Sequence, residues 1–123
     1  MLKVAQVTQV NAQKGMVKVV IPENGTETNW ISMLSSEYQI PPVGSMVMVI
    51  FENGNYTEGL CLGEYFSDSK LPAASDAQTY YKCMGKDVVF KYNSGTKTLD
   101  IFADTVNIHG NLNVSGNISA KNL

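Results

Sequence analysis

Six glutamates lie in the first half of the chain: Glu23, Glu27, Glu37, Glu52, Glu58 and Glu64. Carboxylates do glycosidic chemistry when two of them stand about 5–9.5 Å apart and one sits where its pKa is raised. These fall mostly at expected turns and strand ends, where a solvated carboxylate needs no further role. The single histidine, His109, has no nucleophile motif near it. Cys61 and Cys83 lack CxxC spacing and a secretory context, so they read as free thiols behaving as small hydrophobes. Trp30 and the six tyrosines could stack bases if a basic groove ran beside them. However, Lys3, Lys14 and Lys18 are scattered, and nine basic against eleven acidic residues give a formal charge of −2. The expectation is a protein without catalytic centre, cofactor or metal, its aromatics serving core and subunit contacts. An OB-type binder of single-stranded nucleic acid is the alternative from another class.

The elements that would position these residues are strands. A chain of 123 residues with 44% hydrophobic content can fold, and no apolar run approaches the roughly 18 residues of a membrane span. The start MLKVAQVTQV lacks the ordered regions of a signal peptide, so the expected site of synthesis and retention is a cytoplasm. Five β-like runs are read at Leu2–Val10, Met16–Ile21, Thr28–Leu34, Met46–Phe51 and Thr57–Tyr65, separated by NAQKG, PENG, SSEYQIPPVG and ENGN. Asn53-Gly54 is the clearest tight reversal. MVKVVI and MVMVIF are apolar in both phases, so something beyond a barrel interior must cover their second face; neighbouring copies of the chain would do so. The stretch FSDSKLPAASDAQ then marks a linker. The resulting division is 1–66 barrel, 67–79 linker and 80–123 hairpin plus tail, with Asn93-Ser94-Gly95-Thr96 turning the chain between Val88–Tyr92 and Thr98–Phe102.

From Val106 to Ala120 every even position is apolar or small and every odd one polar, far beyond the roughly 5–6 residues of an ordinary strand. Gly110-Asn111 and Gly116-Asn117 interrupt the pattern six residues apart. Such units belong to β-helices, with glycine turning the corners. One chain has only three units, which would make a single coil with uncovered edges. Three chains wound together remove the difficulty, with Val106, Ile108, Leu112, Val114 and Ile118 filling a shared axis and Gly110 and Gly116 at the turns. A hexapeptide-repeat acyltransferase has a similar period but needs several coils. The expected fold is therefore all-β: an N-terminal five-stranded OB-type barrel followed by an intertwined trimeric β-helix.

The segment NWISMLSSEYQIPPVGSMVMVIFENGNYTEGLCLGEYFS resembles the oligonucleotide/oligosaccharide-binding (OB) barrel of the phage baseplate assembly protein V family, the central spikes of contractile tails. Its matching features are Trp30, Pro42-Val43-Gly44, the apolar run Met46–Phe51, Asn53-Gly54 and Leu62-Gly63-Glu64-Tyr65. The remainder, from Asp87 on, is similar to the family's trimeric needle. This resemblance implies a homotrimer in a virion or contractile tail particle, assembled in the bacterial host's cytoplasm. Its barrels would form a collar against the baseplate hub or tail tube, and its needle would pierce the target envelope. Some family members carry a lysozyme-like domain, for which this chain has no room.

Family spikes can also end in a His-x-His motif that gathers a metal ion at the apex. Here His109 stands alone in the polar phase among Asn107, Asn111 and Asn113, so an outward position without metal is expected. The closing residues SAKNL give the apolar axis no evident polar cover, which suggests a separate tip-cap protein docking on Leu123 and its symmetry mates.

Overall fold

The computed structural model describes residues 1–52, 55–73, 76–85 and 87–122, apart from the side chains of Asn55 and Thr57. The expected turn at Asn53-Gly54 and the expected docking residue Leu123 lie outside the described residues. Contacts divide the chain into two compact units, Met1–Ala73 and Ala74–Leu123, the division falling inside the expected linker. All described regular elements are strands.

In the first unit, β1 (Leu2–Asn11), β2 (Met16–Ile21), β3 (Thr26–Glu27), β4 (Ile31–Met33), β5 (Met46–Glu52) and β6 (Asn55–Glu64) follow the sequence breaks. Neighbours run β1-β5-β6-β4-β2, and β1 also pairs with β2, which closes a five-stranded barrel; β3 is an added edge on β2. All its pairings are antiparallel except β4 with β6. The expected third run, Thr28–Leu34, needs correction because β3 and β4 are separate strands. Thr28 turns inward and is buried, its hydroxyl accepting from the Val19 amide and its own amide donating to the Val19 carbonyl. A polar side chain that captures a ladder amide ends regular pairing at that point.

Alternation decides which face is the interior. Ala5 and Val7, Val17, Val19 and Ile21, Ile31, Val47, Val49 and Phe51, and Cys61 form one buried cluster with Met33 and Tyr56 packed against it. These are the β-branched and aromatic residues that suit a pleated, buried surface. Phe51 and Tyr56 meet edge to face at 5.4 Å between ring centroids. Two irregularities curve the staves. Register shifts between Val7 and Gln9, and the Thr8 hydroxyl donates to the Lys18 carbonyl there. A second shift passes over Leu62 beside Gly63, whose φ of +108° is a conformation that a Cβ disfavours.

Gly59 faces Phe51 across the β5–β6 ladder. A Cβ added there would lie 2.7 Å from the Ile50 carbonyl oxygen and 2.9 Å from Phe51 Cδ1. Since backbone is one of the two obstacles, Gly59→Ala should destabilise the barrel by about 1–3 kcal/mol, read as a lower denaturant midpoint at unchanged slope. Burial also pushes the Cys61 thiol pKa up, against a smaller opposing effect of its hydrogen bond with the Gly63 backbone. Cys61 should therefore resist a thiol reagent in the native protein and react on unfolding, while exposed Cys83 reacts at once. Equal labelling rates for the two would contradict this packing.

In the second unit, β7 (Thr79–Cys83), β8 (Val89–Asn93) and β9 (Thr98–Phe102) make an antiparallel three-stranded sheet in that order. The sequence shows the β8–β9 hairpin, and its turn is fixed by Asn93 Oδ1, which accepts from the Gly95 and Thr96 amides at 2.9 and 3.1 Å. β7 is an addition that the sequence reading leaves partly in the linker. Asp76 prepares its entry by accepting from the Gln78 amide and the Thr79 hydroxyl. The Thr79 hydrogen bond first, then that of Gln78, holds the Asp76 carboxyl below its ordinary pKa. Any stability from this shift is present above the ordinary carboxylate value and is lost as pH falls through the lowered one.

Candidate assembly surfaces

Register places Tyr80, Phe90, Tyr92, Leu99 and Ile101 on one face of the three-stranded sheet, because Tyr80 pairs with Tyr92 and Tyr92 with Leu99, while Lys82 pairs with Phe90 and Phe90 with Ile101. All five are exposed. The opposite face carries Val89, Lys91, Asn93, Thr98 and Asp100 among others. Among the described residues of this unit only Val89 is buried. The unit thus has an ordered sheet, an apolar face and no core beneath it.

Beyond Phe102 the described chain has no strand of its own. Val106, Ile108, Leu112, Val114 and Ile118 are 54, 58, 67, 46 and 57% exposed, so a single chain brings none of the expected axis residues into a core. The chain bends at Asp104, where the apolar phase slips, and again at Gly110 and at Ser115-Gly116. Gly110 has a φ of +145°, whereas Gly116 is not among the positive-φ glycines. His109 is exposed, as are Asn107, Asn111 and Asn113. Among the described residues no three His, Cys, Asp or Glu side chains gather as a metal site.

The barrel has its own uncovered stripe. Leu2, Ile50 and Leu60 form a cross-strand row on the outside of β1, β5 and β6, with Val4 beside Met48 in the next row and Leu62 bulged out nearby. Met46, Met48 and Leu60 are half-buried, and Leu2, Val4, Ile50 and Leu62 are exposed. The apolar second phase of MVMVIF is therefore an outer surface, and the first unit by itself leaves it open.

The aromatic and acidic residues do not assemble chemistry of their own. Lys18 Nζ sits 5.3 Å from the centroid of the Trp30 ring, so a cation occupies that ring rather than a nucleobase. Glu23 pairs with Lys3, and Glu64 with Lys70 at 2.6 Å. Glu23 raises the Lys3 pKa chiefly through their hydrogen bond. Such exposed pairs contribute little to stability.

Fold and surfaces together define a closed all-β barrel linked to a sheet and tail whose apolar side chains find no cover in one chain. Compared with known proteins, the chain matches no protein-family model and no curated protein.

Proposed function

We propose that this chain is the structural central spike of a contractile injection machine, assembled as a homotrimer. In this reading the barrel serves as a collar on the hub or tube, and the tail winds with two other copies into a membrane-piercing β-helix. The single observation that carries the reading is the second unit's lack of a core: Val89 alone is buried, against ten exposed apolar side chains in the sheet face and tail. Covering one such side chain contributes roughly 1.5–3 kcal/mol, and copies of the same chain present matching faces. The strand order supports the collar half. Naming the barrel strands by sequence without the two-residue β3, the order 1-2-3-5-4 with 3 and 5 parallel is that of an OB barrel.

A trimeric β-helix suits a mechanical task because its hydrogen bonds would tie three chains together layer by layer along the thrust axis. Nothing in this reading requires a catalytic group or a metal. Light scattering on the purified full chain at micromolar concentration should return the mass of a trimer; a monomer would overturn the proposal. Filter binding to single-stranded DNA at low salt separates the nucleic-acid alternative, since salt-sensitive retention would favour it. His109→Ala should leave metal content unchanged, and stoichiometric iron or zinc lost in that variant would overturn the metal-free needle.

A further inference from the structure

A cleft of about 320 Å³ opens on the first unit between the β1–β2 turn, the end of β4 and the segment through Ile40. That volume is at the low end for small-molecule sites, roughly 300–1,000 Å³. Its frame is held by backbone. The Met33 amide donates to the Gly15 carbonyl at 2.9 Å, joining β4 to the turn, and Asn11 Oδ1 accepts from the Lys14 amide at 3.1 Å, fixing the turn itself. Tyr38 is 81% exposed, yet its hydroxyl donates to the Ala12 carbonyl at 3.4 Å. The ring is thus tethered at both ends with most of its surface open to solvent.

The lining decides the ligand class. Gln13 and Gln39 offer amides, and Ser32 and Ser35 offer hydroxyls, so donors and acceptors are mixed rather than of one kind. Charge is balanced, with Lys14 against Glu37, so a polyanion finds no positive field. An open aromatic face beside neutral hydrogen-bonding groups matches a pyranose ring, which has an apolar C–H face and a rim of hydroxyls. We propose that this cleft is a binding subsite for a short neutral carbohydrate, one or two sugar rings long, stacked on Tyr38. The inference does not depend on the trimer, because all of these residues belong to the first unit.

Titrating the ¹⁵N-labelled full chain with maltose and with N,N′-diacetylchitobiose tests it. At least one sugar should shift amides in 12–15 and 32–40 and leave the β7–β9 sheet unmoved. Tyr38→Ala should weaken that binding by about tenfold or more, equivalent to ~1.4 kcal/mol, while Tyr38→Phe should keep most of it because the stacking face remains. Tyr38 is solvent-facing, so neither substitution endangers the barrel. Three results would overturn the proposal: no shifts with either sugar, undiminished binding by Tyr38→Ala, or shifts of these amides by octathymidylate alone that fade as salt is added.

Discussion

Val114→Asp is expected to abolish the trimer at neutral pH while leaving the barrel folded. Val114 is half open to solvent in one chain, and in the proposed assembly it faces its two symmetry mates. Three carboxylates would then share a space without counter-charge, and each would suffer both desolvation and the repulsion of the others. The penalty, several kcal/mol, exceeds what the neighbouring Leu112 and Ile118 would each contribute. Both effects raise the carboxyl pKa in the trimer above its value in separated chains. Trimer stability should therefore fall as pH rises through that range and partly return in acid, where the groups are neutral. Asn113→Asp is the matched control, since the adjacent position belongs to the polar phase and should tolerate the charge. Light scattering across pH reads both variants. Equal behaviour of the two would mean that the alternation does not mark an inside.

Ending the chain after Phe102 should have an effect of similar size by another route. It removes all five proposed axis residues and keeps β7, β8 and β9 intact. The expected product is a folded barrel, because its core from Ala5 to Cys61 is self-contained, with the trimer lost or weakened by orders of magnitude in concentration. Circular dichroism would report the retained strands and light scattering the mass. A tight trimer from this shortened chain would assign assembly to the sheet face or the barrel stripe, and the needle would lose its part in it.

The barrel is legible in the sequence because each stave is a run of Val, Ile and Met closed by Gly, Pro or Asn, and four of the five runs match the structure to within a few residues. The fifth run fails at Thr28, where one inward hydroxyl does locally what no composition rule registers. Which phase of MVKVVI faces inward is not legible either, since Val20 and Met48 are as apolar as Val19 and Val47; cross-strand register settles it. β7 escapes because Tyr80-Tyr81-Lys82-Cys83 lacks aliphatic alternation and becomes a strand by pairing with β8. The tail is the reverse case. Its alternation is plain in the sequence, yet the partners that would make it a fold belong to other copies. The cleft beside Tyr38 carries no motif, for its walls come from three separated segments of ordinary polar residues.

The strand β4 gives the barrel a direction in which it yields. It is held by two register pairs to β2, at Met16–Ser32 and Val17–Ile31, and by two to β6, at Ser32–Leu60 and Met33–Cys61, whereas β1 and β5 share five. Tension applied across the barrel would part this narrow seam first, with the long ladders still zipped. Amide exchange at Ser32 and Met33 should accordingly outpace that at Val47 and Val49, and a crosslink spanning β4 and β6 would make the ring recoil as one hoop rather than tear at its thinnest stave.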